Sequence, residues 1–448
     1  MRFLLPLIFT AGLAACSSGP DEVLSEEMRC EVGIYRLANG ALIDIGHSGE
    51  AHLRWRTLDG RVGRIARNDN GQWDGTAGWT DETHPARITL GDCADTSIQV
   101  TGIEGLNGSG ERLDFDSQDV RFQGGGEELA GRLVLAEGDG PAPLLVLVHG
   151  SERTSAVDYA YHQRMLPAQG ISVFVYDKRG TGGSTGEYTQ DFNLLASDAA
   201  AAHDTALELA GPRVEASGYF GGSQGGWVGP LAATLSPADF VIASFGLAES
   251  PLAEDREQVQ MELREAGYDG DVLARAREVT DATGRVLASN FEEGAAELAR
   301  IRSAYGDEAW FQEIEGEITG EMISRPLWQF RMGYAFLGVG TSWGYEPVPV
   351  LRTIDVPMLW VLAGADREAP SAPTREILTG LQREGQAIDI AFFPDTDHGI
   401  VRFTEAEDGQ RETLGYADGY FALIADWALT RELGDAPATA EFAPGPRP

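Results

Sequence analysis

Two stretches of this chain place a serine among glycines. One is Gly221-Gly-Ser223-Gln-Gly-Gly226, inside GYFGGSQGGWVGPLAA, and the other is Gly182-Gly-Ser184-Thr-Gly186, inside KRGTGGSTGEY. Either serine is a potential nucleophile held on a tight turn. With 56 glycines in 448 residues, the bare Gly-x-Ser-x-Gly pattern is expected by chance roughly 0.4 times per chain, so the surroundings must choose. Ser184 is preceded by Asp177-Lys-Arg-Gly-Thr-Gly and followed by polar, unhelical residues. Ser223 comes straight off the apolar run SGYFG and runs at once into GWVGPLAATL, an apolar helix start. A nucleophile elbow requires that order of strand, strained turn and helix, with small residues on both sides. Ser223 is therefore the candidate nucleophile, and Ser184 is read as a hydroxyl that orders its own loop.

A serine nucleophile needs a base and an acid that orients it. The chain has seven histidines, at 47, 52, 84, 149, 162, 203 and 398, and only His398 follows Ser223. It sits in FFPDTDHGI, just past an apolar run of strand type. Asp366 ends VPMLWVLAGAD, at the carboxyl end of another such run, where sheets deliver catalytic groups. Glu249, after the preceding run, is the alternative acid by the same logic. Asp395 and Asp397 are read as solvated loop charges, because neighbours on one turn rarely face one another. The backbone N–H of Gln224 and that of Ser151, in LVLVHGSER, are the candidate oxyanion donors. Gly150 permits the tight turn there, and His149 is read as bracing that loop.

These residues require elements to carry them. Short apolar runs at 144–148, 172–176, 216–220, 241–245, 358–362 and 388–393 read as buried strands. Helical stretches at 157–168, 194–209, 227–235 and 374–384 lie between most of them. That alternation predicts a mostly parallel sheet with helices on its faces. Two further strands are expected within QDVRFQGGGEELAGRLVLAE, and a last helix over 416–433. About 110 residues of helical periodicity separate the runs at 241–245 and 358–362, too long for a connection, and are expected to form a helical cap over the sheet edge. Its aromatics, Trp310, Phe311, Trp328, Phe330, Tyr334, Phe336, Trp343 and Tyr345, are read mainly as packing core.

Residues 28–117 differ. Short apolar runs alternate there with Asn-Gly, Ser-Gly and Asp-Gly turn signals, which predicts a small antiparallel β domain. The domain reading is thus a signal peptide over 1–15, a spacer over 16–27, the β-rich domain over 28–117, hydrolase-type core over 118–247 and 351–435, the cap over 248–350, and a disordered tail over 436–448. The formal charge of −36 argues against a nucleic-acid or anionic-lipid surface, which would need clustered cations.

The set LVHGS, YDKRGTGGSTG, GGSQGGW, LAGADREAP and DTDHG, in that order, resembles the α/β-hydrolase superfamily, in its branch of bacterial esterases and dienelactone-hydrolase- or prolyl-oligopeptidase-like enzymes. The resemblance spans residues 119–433. It implies Ser223 as nucleophile, Asp366 as acid, His398 as base, Gln224 and Ser151 as oxyanion donors, and Asp177 and Arg179 as scaffold. It implies no cofactor and no metal. The expected activity is cleavage of a small acyl substrate, a carboxylic ester first; a peptidase or thioesterase on the same fold, and a catalytically silent binding module, are the alternatives. At the start of the chain, Leu13-Ala-Ala-Cys16 resembles the lipobox of bacterial lipoproteins. It implies lipidation of Cys16, a membrane connection through that anchor alone, and a periplasm-facing site, with Ser17 favouring the outer membrane. Cys30 and Cys93 are expected to pair as a disulfide in that compartment.

Overall fold

The structure, a computed structural model, describes residues 29–48, 52–67, 73–80, 82–91, 94–337, 339–407 and 409–447. The expected signal peptide, the spacer with Cys16, and Cys93 lie outside the described residues.

Eight strands form a closed antiparallel barrel: β1 (Gly33–Leu37), β2 (Leu42–His47), β3 (His52–Thr57), β4 (Val62–Arg67), β5 (Trp73–Thr76), β6 (Thr83–Leu90), β7 (Ser97–Thr101) and β8 (Gly108–Arg112). The alternation expected of a half-buried strand is clearest in β7, where Ile98 and Val100 point inward and Ser97, Gln99 and Thr101 outward. Closure, with β8 pairing back to β1, leaves no open sheet edge. Tyr35, Ile43, Ile45, Leu53, Trp55 and Ile88 fill the interior.

Nine strands form the second sheet. They are β9 (Ser117–Gly124), β10 (Glu127–Val134), β11 (Ala142–Val148), β12 (Ser172–Tyr176), β13 (Val214–Gly222), β14 (Phe240–Ser244), β15 (Met358–Ala363), β16 (Ile388–Phe393) and β19 (Glu441–Ala443), in the order β19-β16-β15-β14-β13-β11-β12-β10-β9. Strands β11 to β16 pair in parallel. Every residue of β11, β12, β14 and β15 is buried, as continuous apolar runs covered on both faces must be. This is the mostly parallel, helix-flanked sheet that the sequence pattern predicts. From β11 the chain passes to β12 on one side and then to β13 on the other. The carboxyl ends of β11 and β13 therefore flank a switch point, where open parallel sheets leave a crevice.

Three expectations are corrected. The helix expected over 157–168 is two short helices, Ala156–Tyr159 and His162–Met165, followed by a 3₁₀ turn at Pro167–Gln169. The Gln163 amide breaks it by donating to the carbonyls of Val157 (2.9 Å) and Ala160 (3.0 Å). The last helix starts late, at Tyr420, because residues 411–416 form β18 (Arg411–Tyr416), paired with β17 (Val401–Glu405). The tail expected to be disordered instead closes the sheet as β19. Asp389, fully buried on β16, holds it there by accepting from Gly445 N–H (2.9 Å) and Arg447 (2.9 Å), together with Trp427 Nε1 (2.8 Å).

The segment between β14 and β15 is helical. Residues 249–346 with 367–370 form one compact unit, and the remaining described residues, barrel included, form the other. Within the helical unit Trp310, Phe311, Phe330 and Trp343 are buried among Val259, Val279, Val286 and Leu298, whereas Trp328 is 62% exposed. Asp255 organises this core by accepting from the N–H groups of Ile318 and Thr319 and from the Thr319 hydroxyl.

Candidate active site

Ser223 is the first residue after β13 and sits at φ 51°, a left-handed backbone that costs a non-glycine residue about 1–2 kcal/mol. The surroundings enforce the turn. Ser223 N–H bonds to Ser244 O on β14 (3.0 Å), and its own carbonyl accepts from Gly226 N–H (2.7 Å) at the start of the helix Gly225–Ala233. The chain passes so close to β11 that a Cβ on Gly225 would overlap the Val148 carbonyl. Gln224 is buried at the amino end of that helix, where backbone N–H groups gather and favour negative charge.

Val148 and Gly221 are register partners, so the loop after β11 and the elbow after β13 leave the sheet side by side. A Cβ on Gly150 would lie 3.2 Å from Ser223 Cβ. Two donors grip this loop by its carbonyls: Lys178 Nζ donates to Gly150 O (2.5 Å), and Tyr188 Oη donates to Ser151 O (2.5 Å). In a trans peptide the carbonyl and the following N–H point in opposite directions. Fixing Gly150 O therefore fixes the Ser151 N–H, the candidate second oxyanion donor. Lys178 is buried, and burial lowers its amine to about 8, against the pull of Glu152. Burial alone would raise the Glu152 carboxyl, but His149 (3.1 Å) and Lys178 hold it down to about 2. Glu152 lies within LVLVHGSER, and Lys178 and Tyr188 within KRGTGGSTGEY, but none carried a sequence signal of this role.

Asp366 follows β15 and is 3% exposed; His398 follows β16. His398 Nδ1 and Asp366 Oδ2 are 2.9 Å apart. The structure thus joins the candidate base to Asp366, while Glu249 belongs to the helical unit. Phe245, itself at φ 43°, lies edge-on to the His398 ring with centroids 5.0 Å apart. A Cβ on Gly222 would lie 2.9 Å from its Cζ, so one ring contacts both the imidazole and the residue before Ser223. Asp397 is not a solvated loop charge. Its Oδ1 accepts the His398 N–H (2.9 Å) and its Oδ2 accepts from Arg411 (2.8 Å).

The second serine is occupied in its loop. Ser184 Oγ donates to Asp177 O (2.6 Å) and accepts from Ala130 N–H (2.9 Å). Asp177 accepts from Ser155 Oγ, Val157 N–H and Gly183 N–H, and Arg179 makes a two-pronged pair with buried Asp198. His203, buried between Ser217 and Ser236, is a packing residue. Among the described residues no group of His, Cys, Asp or Glu is placed to hold a metal ion, and no helix is long and apolar enough to cross a membrane.

Residues 139–260 match the family model described as serine aminopeptidase, S33. That stretch contains Gly150, Ser151, Ser223 and Gln224 but neither Asp366 nor His398. Among curated proteins none matches the chain. Solved structures similar to it include the acylaminoacyl peptidase of Pyrococcus horikoshii, at 16% identity and a TM-score of 0.40, covering 81% of this chain and 51% of that one. Another is the Pyrococcus furiosus esterase Pf2001, at 14% identity and 0.39, covering 64% and 85%. A third is Est1E from Butyrivibrio proteoclasticus with ferulic acid bound, at 16% identity and 0.38, covering 69% and 96%. The chain spans about half the length of the first of these.

Proposed function

We propose that this protein is a serine hydrolase that cleaves carboxylic esters through Ser223, His398 and Asp366. The observation that carries the reading is the 2.9 Å contact between His398 Nδ1 and Asp366 Oδ2, in the same compact unit as a serine on a strained strand-to-helix turn. His398 Nε2 takes the Ser223 proton as Oγ attacks the acyl carbonyl, and Nδ1–H stays bonded to the carboxylate that stabilises the imidazolium. The oxyanion of the tetrahedral intermediate is bound by the N–H groups of Gln224 and Ser151. The intermediate collapses as His398 protonates the leaving alcohol. Water, deprotonated by the same imidazole, then attacks the acyl-enzyme, and His398 gives that proton to Ser223 Oγ as the carboxylic acid leaves.

The S33 serine aminopeptidase description of residues 139–260 favours a second reading, removal of an amino-terminal residue from a peptide by the same steps with an amine leaving. Turnover of p-nitrophenyl esters of graded chain length, compared with aminoacyl p-nitroanilides, separates the two. The ester reading expects kcat/KM on at least one ester to exceed every anilide, and the reverse order overturns it. The Leu13–Cys16 motif further suggests a lipid-anchored, exported protein. Metabolic labelling with a fatty acid, lost in Cys16→Ala, is the expected result, and no labelling of the wild type rejects it.

A further inference from the structure

The acid and the base hang from separate loops, after β15 and β16. The backbone bonds Gly364 N–H to Phe393 O (2.9 Å) and Ala365 N–H to Thr396 O (2.9 Å) join these loops at their bases. The two side chains lie beyond those bonds, where Arg411 reaches. The structure assigns Arg411 the role of a positioning residue for Asp366 and His398, and assigns the amino-terminal barrel the role of supporting it. The inference rests on the triad reading above.

Arg411 is the first residue of β18, and its side chain is 14% exposed. Its Nη1 donates to Ala365 O (2.6 Å) and to Asp397 Oδ2 (2.8 Å). Ala365 precedes the acid and Asp397 precedes the base, so one guanidinium nitrogen ties the two loops together one residue back from each functional group. Asp397 passes the constraint on, since its other oxygen accepts the His398 N–H. Glu405 pairs with Nε at 3.2 Å, and Phe403 lies 4.0 Å beneath the guanidinium carbon, which fixes the plane of the fork. Charge-assisted bonds from a planar fork restrain direction as well as distance.

Strand β18 is in turn seated on the barrel. Trp79 N–H donates to Thr413 O (2.8 Å), Tyr416 N–H donates to Gly60 O (2.8 Å), and Arg61 bridges to Gly415. The approach depends on a bare backbone at Gly78, at φ 53°, where a Cβ would overlap the Thr413 carbonyl. The barrel has a second fixed point on the hydrolase core. Asp44 on β2, 1% exposed, accepts from Arg164 (2.6 and 3.1 Å) and from Arg56 on β3 (2.9 Å). A barrel pinned at two places, with the hairpin laid across it, sets where Arg411 stands.

The test measures kcat, KM and thermal midpoint on one ester for wild type, Arg411→Gln, Arg411→Lys, Gly78→Ala and Ser223→Ala. Arg352→Gln, which removes an exposed ion pair with Glu384, serves as a surface control. Misplacement of a catalytic group by about 1 Å costs about a hundredfold. Arg411→Gln is therefore expected to lose between tenfold and a hundredfold in kcat, with KM nearly unchanged and the protein still folded. Arg411→Lys should recover part of the loss, because it retains a cation that reaches one of the two acceptors. Gly78→Ala should lower kcat in the same direction although it lies in the barrel, and Arg352→Gln should behave as wild type. An inactive Ser223→Ala together with wild-type kcat in Arg411→Gln overturns the positioning role alone. Wild-type kcat in a folded Gly78→Ala overturns the role of the barrel. Should Arg411→Gln not fold, Arg411→Lys and Gly78→Ala decide by the same criteria. Turnover retained by Ser223→Ala overturns the triad reading and this inference with it.

Discussion

Ser223 and His398 reach the carboxyl ends of the sheet strands by different routes. Ser223 is placed by its own neighbours: β13 before it, the helix Gly225–Ala233 after it, and a backbone turn that small residues allow. Its contacts at Ser244 and Gly226 are made by main chain. His398 sits in a short turn closed by the backbone bridge between Asp397 and Val401, but its ring is met by side chains from other segments. The ring meets Asp366, which follows β15, and Phe245, which follows β14, and its backbone N–H is held by Asp397, backed by Arg411 from the hairpin that follows. A site half-built from backbone is rigid by construction. The half built from side chains of distant segments is adjustable, and most exposed to single substitutions.

Substitutions in the two halves of the site differ in their expected cost. The largest effect is expected from Asp366→Asn, which leaves His398 without its carboxylate and should cost about 10⁴-fold in kcat while the fold is retained; circular dichroism and kcat together check it. Lys178→Met removes the donor to Gly150 O and frees the Ser151 peptide. A disturbed oxyanion donor costs about 10²–10³-fold in kcat, and a fall confined to KM would contradict the assignment. Phe245→Leu keeps an apolar contact but loses the flat edge against the imidazole. It is expected to cost about tenfold in kcat, since a side chain that only packs against a catalytic group contributes less than one that bonds to it.

The smallest effect concerns stability of the helical unit. Burial raises the Glu262 carboxyl to about 7, and Glu315 and Asp255 push it the same way. A carboxyl that is more basic in the folded than in the unfolded state holds its proton better when folded. Folding is then favoured below its ordinary value and loses that advantage as pH rises to about 7. The thermal midpoint of the unit should fall slightly between pH 5 and 7.5, and Glu262→Gln should flatten that slope.

The same contrast explains what was legible in the sequence. The alternating strands and helices, the antiparallel β domain (though not its closure into a barrel) and the elbow are local patterns: apolar runs, turn dipeptides, and a strand–glycine–serine–helix order. Asp366 and His398 could be proposed because each lies at or just past the end of an apolar run, but the pairing of Asp366 rather than Glu249 depends on which loops the sheet order brings together. Lys178, Tyr188, Phe245 and Arg411 act on partners 14 to more than 150 residues away along the chain and leave no spacing signal. Asp397 was misread because its role depends on Arg411. The tail was misread because Asp389, the carboxylate that orders it, lies more than fifty residues upstream inside a run that reads as an ordinary buried strand.

The central claim is that Ser223, and not Ser184, is the nucleophile. Treating the protein with a fluorophosphonate probe and mapping the modified peptide tests it most directly. The expected adduct is on Ser223, absent in Ser223→Ala and undiminished in a folded Ser184→Ala. An adduct on Ser184, or labelling that persists at full level in Ser223→Ala, would contradict the account.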